Sequence, residues 1–163
     1  MRRMLFRGKS VLDDEWYYGG ACVPFGIGNV YILKIGGNFR QLGCADDDGN
    51  IKVGLFEEYT IKPVFPETVG QFTGLEDADG EQIYEGDIVQ GRSEYFGHDN
   101  FCRGVVFWSE GRFVISFGDS VEVCEKLDDT EELREWHEDV EVIGNIFDDP
   151  ELLENGGKLK AQD

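Results

Sequence analysis

The sequence predicts a mainly β protein, and three observations support this fold class. Short runs rich in β-branched and aromatic residues recur along the 163-residue chain, as is typical of strands. Glycine, Asp and Asn residues separate these runs and favour the backbone conformations of tight turns. Patterns with helical spacing are few and lie late in the chain, which argues against an α/β scaffold of alternating strands and helices.

The strands are predicted in chain order from these runs. They cover residues 15–23, 30–35, 59–64, 68–74, 83–89, 104–108, 112–117, 121–125 and 140–147. The clearest hairpin spans residues 105–117 and turns at residues 109–112. Its apolar side chains share one face if the register holds, because a slip of one residue would reverse that face. These side chains are Val106, Trp108, Phe113 and Ile115.

Two short helices are predicted near the C-terminal end of the sequence. Asp129 is followed three residues later by Glu132, a spacing that resembles a capping box and predicts one or two helical turns near residues 130–138. Asp149 precedes Pro150, and proline is favoured in the first helical turn. A second short helix is therefore expected to begin there, with Asp149 as its cap.

The chain is predicted to contain three regions. Residues 1–65 form an N-terminal β region packed on the rest, residues 66–154 form the main module, and residues 155–163 form a disordered tail. The main module is expected to be a small antiparallel barrel-like module of SH3-like size, because closing a barrel removes exposed strand edges. The fold prediction is this module with additional N-terminal strands and one or two short C-terminal helices.

The charge of the chain is strongly negative and unevenly distributed. The sequence has 34 acidic and 15 basic side chains, and residues 119–154 alone carry 15 acidic and two basic ones. Such a region repels phosphate backbones, so direct binding of nucleic acid is not expected, and it attracts basic protein surfaces. A solubilising surface and mimicry of nucleic acid are the alternative interpretations of the same charge.

The sequence offers no motif for catalysis, a metal or a cofactor, so none of these is predicted. The four cysteines, at positions 22, 44, 102 and 124, form no C-x-x-C pair and are expected to be reduced and mostly buried. Residues 46–50 do not match a calcium-binding loop, and residues 77–80 are better explained as a β-turn. Because no apolar run approaches a membrane span and no signal sequence is evident, we expect a cytoplasmic protein.

Two groups of residues are candidates for binding a partner. A loop is predicted at residues 92–101, and we call it the aromatic loop. It combines aromatic side chains with polar residues, so its aromatic side chains are expected to be exposed and to form a contact surface. Its candidate residues are Tyr95, Phe96, His98 and Phe101. The acidic candidates are Glu131, Glu132, Glu135, Glu138 and Asp139. Eight further aromatic residues lie in predicted strand positions, and most of them are expected to be in the core. They are Trp16, Tyr17, Tyr18, Phe72, Tyr84, Phe107, Trp108 and Phe113.

Five sequence blocks together resemble the YopX family. They are FRGKS (residues 6–10), EWYYGG (15–20), PETVGQFTGLEDADGEQIYEGDIV (66–89), GVVFWSEGRFVI (104–115) and VEVIGNIFDDPELL (140–153). In the long third block, Gly86 is predicted to permit a bend and Asp87 to accept hydrogen bonds from turn amides.

The resemblance implies an all-β protein of phages and prophages that acts in the bacterial host cell, with no defined activity and no defined site residues. We therefore expect a non-enzymatic accessory protein that binds a protein partner, with a basic one favoured by the acidic C-terminal third. Two alternatives remain open. One is a protein that binds a small ligand of nucleotide type, and the other is a structural protein that assembles into homo-oligomers.

Overall fold

Antiparallel strands make up most of the structure, a computed structural model that describes residues 4–24, 30–36, 44–45, 51–52, 58–92, 101–118 and 130–154. The strands are β1 (Phe6–Lys9), β2 (Trp16–Gly19), β3 (Ala21–Pro24), β4 (Val30–Gly36), β5 (Cys44–Ala45), β6 (Ile51–Lys52), β7 (Glu58–Val64), β8 (Gly70–Glu76), β9 (Gln82–Tyr84), β10 (Asp87–Arg92), β11 (Phe101–Ser109), β12 (Arg112–Phe117), β13 (Thr130–Glu132) and β14 (Val140–Asn145). The helical elements are a 3-10 turn (Pro66–Thr68), α1 (Leu133–Trp136) and α2 (Glu151–Glu154). The prediction of a mainly β fold with short C-terminal helices is confirmed.

The chain divides into two compact units. One unit comprises Met4–Val69, and the other comprises Gly70–Asp163. The packing of residues 1–65 on the rest stays a prediction. The strand predicted at residues 121–125, the loop at residues 46–50 and the tail at residues 155–163 lie outside the described residues.

The Met4–Val69 unit contains the β1–β2 hairpin and a sheet with the strand order β3-β4-β7. The strand predicted at residues 15–23 is divided into β2 and β3 after Gly19. A side chain at Gly19 would come within 2.4 Å of the Leu33 carbonyl oxygen, so only glycine allows this close approach. Strand β1 was not predicted, because its four residues (FRGK) lack an alternating pattern.

The Gly70–Asp163 unit is built on a five-stranded antiparallel sheet with the order β13-β12-β11-β10-β14. Its central hairpin has the predicted register, since Val106 pairs with Ile115 and Trp108 pairs with Phe113. At the turn, Glu110 has a φ of 49° and Gly111 a φ of 86°. Two consecutive positive φ values match the twist of a two-residue hairpin.

Both faces of this sheet are covered by apolar side chains. One core cluster comprises Ile83, Val89, Val106, Phe113, Ile115, Leu133 and Val140. The opposite face carries Ile88, Val105 and Leu153, and Leu153 belongs to α2. Helix α2 therefore packs on this face of the sheet. Because both faces of the sheet are buried, apolar residues run consecutively in β10, β11 and β12.

The barrel-like closure predicted for this unit is wrong, because the described strands form an open sheet that ends at β13 and β14. A turn covers the outer edge of β14 instead. The Ala78 N–H donates to the Val140 carbonyl, and the Val142 N–H donates to Asp77 Oδ2 at 2.8 Å. The outward C=O of Val140 and N–H of Val142 are thus satisfied without a further strand.

Asp77 is a buried carboxylate that organises this turn. Its Oδ1 accepts hydrogen bonds from the N–H groups of Asp79 and Glu81, each at 2.9 Å. Gly80 completes the turn with a φ of 85° and donates its N–H to the Asp77 carbonyl. The prediction that residues 77–80 form a β-turn is therefore confirmed.

The strand predicted at residues 83–89 is divided by a tight turn at Gly86, which has a φ of 84°. The Asp87 carboxylate accepts the Tyr84 N–H at 2.7 Å, which confirms the roles predicted for Gly86 and Asp87. The strand predicted at residues 68–74 begins later, because Thr68 belongs to the 3-10 turn and bonds the Phe65 carbonyl.

The predicted C-terminal helices differ from the observed ones in their first residues. Glu132 lies in β13 opposite Val114 and is the N-cap of α1 without a side-chain cap bond, so the predicted capping box is wrong. Asp149 Oδ2 accepts the Asn145 N–H rather than capping α2, because the preceding turn brings Asn145 close. No helix within the described residues is long and apolar enough to cross a membrane.

Replacing Asp77 with alanine is expected to destabilise the protein by about 3 kcal/mol, since three backbone N–H groups lose a charged acceptor. Urea unfolding followed by circular dichroism measures this change. Asp79→Ala is the matched control, because the Asp79 side chain is exposed and its replacement should cost less than about 0.5 kcal/mol. Equal losses in both variants would show that the Asp77 carboxylate has no special role.

Candidate functional site

A cleft of about 430 Å³ opens beside the turn of the β11–β12 hairpin. It lies entirely within the Gly70–Asp163 unit. Its apolar, aromatic and charged lining residues are Leu75, Trp108, Arg112, Phe113, Glu132 and Arg134. We call it the Trp108 cleft. Its volume lies within the range of about 300–1,000 Å³ that is typical of small-molecule sites.

Trp108 is half exposed, with 50% of its surface accessible, whereas its cross-strand partner Phe113 is buried at 7%. The two rings meet edge to face with centroids 4.7 Å apart. Strand β10 pairs with β11 only as far as Val105, so Trp108 lies where β11 has lost its neighbour on that side. The prediction that Trp108 belongs to the core is therefore wrong. Of the other predicted core aromatics, Tyr18 is also exposed, at 46%.

Thr73 lines the cleft and is held by internal hydrogen bonds. The Thr73 hydroxyl donates to the Ile83 carbonyl at 2.9 Å and accepts the Leu75 N–H at 3.2 Å. Gly74 and Gly111 border the cleft with φ values of 86° each, and both are exposed. Because glycine has no side chain, these two positions leave the approach to Trp108 open.

Two arginines give the cleft a local positive charge in a chain whose net charge is -19. Residues 104–154 contain three basic residues, and two of them, Arg112 and Arg134, line this cleft. Arg112 pairs with Glu132 at 3.4 Å across the β12–β13 edge. Within the described residues, the exposed Arg134 of α1 forms no ion pair. Its guanidinium can therefore meet an anionic group from outside.

The acidic candidates occupy consecutive elements next to the cleft, and we call residues 130–141 the acidic segment. Glu131 and Glu132 lie on β13, Glu135 lies on α1, and Glu138 and Asp139 precede β14. Apart from Glu132, these carboxylates form no ion pair with any described residue. The acidic candidates thus lie on one stretch of described backbone, and their role in binding stays a prediction.

Apart from the Glu132 ion pair, the acidic segment is held in place by contacts that do not involve its carboxylates. His137 Nδ1 lies 2.8 Å from the Glu76 carbonyl oxygen. The Trp136 ring packs edge to face against Phe117 with a centroid distance of 5.9 Å. The buried Leu133 joins the core cluster below the sheet. The carboxylates are therefore presented by a fixed backbone rather than by a free tail.

The predicted aromatic loop is largely outside the described residues, which include neither Tyr95, Phe96 nor His98. Phe101 is the first residue of β11 and pairs with Arg92, so its placement in a loop is wrong. The sequence interpretation missed Arg112 and Arg134 as site residues. Their scarcity in an acidic region and the nearby hairpin turn were the signals that could have indicated them.

The cleft and its surroundings are suited to stacking and charge contacts. Within the described residues, no group of three His, Cys, Asp or Glu side chains is placed to hold a metal ion. Burial raises the pKa of the Cys22 and Cys102 thiols, so little reactive thiolate forms at these positions near neutral pH. Neither cysteine lines the Trp108 cleft.

Because half of the Trp108 side chain is exposed, we expect it to contribute little to the stability of the fold. Trp108→Ala should cost about 1 kcal/mol, mainly the edge-to-face ring contact, whereas Phe113→Ala should cost about 4 kcal/mol because it leaves a core cavity. Thermal and urea unfolding of the two variants measure the difference. A loss for Trp108→Ala as large as that for Phe113→Ala would show that Trp108 is a core residue.

Comparisons with known proteins place the chain in a family. Among solved structures it is similar to the crystal structure of protein EF1440 from Enterococcus faecalis, with 22% sequence identity and a TM-score of 0.45, over 92% of this chain and 97% of that chain. None of the curated proteins compared with the chain matches it. The family model described as YopX protein matches residues 6–154. Because this match covers most of the sequence, the protein belongs to the YopX family.

Proposed function

We propose that this protein is a non-enzymatic accessory protein of phage or prophage origin that binds a basic protein of the host or the phage in the bacterial cytoplasm. The observation that carries the proposal is the acidic segment. Glu131, Glu135, Glu138 and Asp139 form no ion pair within the described part of the chain, and they lie on β13, on α1 and in the turn that precedes β14.

Electrostatics favour a basic partner for this segment. Residues 119–154 carry 15 acidic and two basic side chains, and their mutual repulsion opposes the compact state. A partner that brings lysines and arginines close would relieve this repulsion. It would also be steered towards the segment, since opposite charges accelerate association more than they increase final affinity.

The distribution of acidic residues over ordered structure also supports recognition in addition to solubility. A surface that only keeps a protein soluble has no need for a fixed arrangement, whereas recognition requires charges at defined positions. The acidic segment meets this requirement through β13, α1 and the first residues of β14. Glu141 ends the segment, and this exposed residue lies on β14 opposite Gln90.

Neutralising the acidic segment is expected to weaken binding to a basic probe. The test variant carries Glu135→Gln, Glu138→Gln and Asp139→Asn, and the probe is an immobilised decalysine peptide. We expect an affinity loss of about 10-fold, because three nearby charge contacts are removed. Surface plasmon resonance at low salt measures it, and about 0.5 M NaCl should abolish binding in the unmodified protein as well.

A matched control separates a local site from the overall charge. Glu67→Gln, Glu81→Gln and Glu110→Gln remove the same number of exposed acidic side chains elsewhere in the chain. Equal affinity losses in the two triple variants would overturn the local site and favour a solubilising role. The same pair of variants, applied to basic proteins recovered from a bacterial lysate, identifies a partner that depends on the acidic segment.

The repulsion within the acidic segment also predicts a salt effect on stability. Raising NaCl from about 0.02 M to about 0.2 M should increase the unfolding temperature by about 3 °C, because the ions screen like charges. The rise should be smaller in the variant with neutral residues at positions 135, 138 and 139. Differential scanning calorimetry measures both, and an unfolding temperature that falls with salt would contradict the expected repulsion.

A further inference from the structure

We infer that the Trp108 cleft binds a nucleoside monophosphate, with the base on the Trp108 ring and the phosphate on Arg134 and Arg112. This site is distinct from the protein-binding role proposed for the acidic segment, and neither proposal depends on the other. The inference rests on three features of the cleft, namely an accessible aromatic ring, two guanidinium groups and a volume suited to a small ligand.

The ring of Trp108 provides a stacking surface. Half of the surface of Trp108 is accessible. The Phe113 ring contacts the indole edge to face, and this contact holds the indole in position and leaves its accessible half uncovered. A nucleobase is a planar ring system that stacks on such a side chain, and one stacked base contributes substantially to binding in proteins that use this contact. The half-buried Leu75 adds an apolar contact at the same cleft.

The two arginines provide the phosphate contacts. Guanidinium groups bind phosphate oxygens through pairs of parallel hydrogen bonds, with more defined geometry than an ammonium group. Arg134 forms no ion pair with any described carboxylate, so its N–H donors are not held by one. The ion pair joins the exposed Arg112 to the half-buried Glu132 at 3.4 Å and is weak, which leaves further N–H donors of Arg112 for a ligand.

The surrounding charge limits how many phosphates the cleft can accept. The two arginines stand in a chain with a net charge of -19, and Glu132 lies in the cleft itself. Each additional phosphate adds a negative charge that the two arginines cannot balance. A monophosphate is therefore favoured over a triphosphate, and a long single strand of nucleic acid is disfavoured most of all.

Isothermal titration calorimetry on the full chain tests the inference with four probes, namely adenosine, guanosine, cytidine and uridine monophosphate. We expect saturable binding of at least one probe, with its affinity reduced about 10-fold or more by Trp108→Ala and by Arg134→Gln. Trp108→Phe should keep affinity within about 3-fold, because the aromatic surface remains. Lys9→Gln removes one positive charge in the other unit and should leave affinity unchanged.

Further arms of the experiment distinguish the two halves of the ligand. The nucleoside alone and inorganic phosphate alone should each bind about 10-fold more weakly than the joined molecule. No saturable binding of any monophosphate up to about 5 mM would overturn the inference. So would equal affinity in the unmodified protein and in Trp108→Ala, or tighter binding of a thymidine oligonucleotide or a triphosphate than of every monophosphate. Circular dichroism confirms that the compared variants are folded.

Discussion

The buried carboxylate of Asp77 is the interaction on which the Gly70–Asp163 unit depends. It accepts two hydrogen bonds from its own turn and a third from the N–H of Val142 on β14. A strand at the edge of a sheet has outward N–H and C=O groups that, unless they are covered, can pair with another chain. Here a side chain and a tight turn provide this cover, so the sheet remains open and yet has a protected edge at β14.

The same turn region positions the candidate surfaces. Glu76, which ends β8, bonds His137 through its carbonyl and so fixes the end of α1. Helix α1 carries Arg134 into the Trp108 cleft and Glu135 into the acidic segment. Opposite charges are therefore presented by adjacent positions of a single helical turn. One backbone arrangement can in this way offer a cationic cleft within an acidic surface.

The features that the sequence predicted well depend on local chemistry. The register of the β11–β12 hairpin follows from its two-residue turn. The role of Gly86 follows from its positive φ, and the role of Asp87 follows from the nearby Tyr84 N–H. The features that it did not predict depend on distant neighbours. Glu132 is extended because Val114 lies opposite it, although its spacing from Asp129 favours a helix.

In the candidate site, too, features that depend on the local sequence were predicted, and features that depend on distant contacts were not. The acidic residues were predicted because their charge is visible in the composition, whereas the cleft was not, because it requires β8, β11, β12 and α1 to meet. The exposure of Trp108 depends on where β10 stops pairing, and no local pattern reveals that position. A tryptophan in an apolar strand is a core residue by every local criterion.

The bond between Asp77 and Val142 joins residues that are 65 positions apart. Contacts between such distant positions close large loops and slow the search for the native topology. During synthesis the turn emerges from the ribosome well before the strand that it will protect. We therefore expect the β11–β12 hairpin to form first. Folding of the unit is completed only after β14 has been translated.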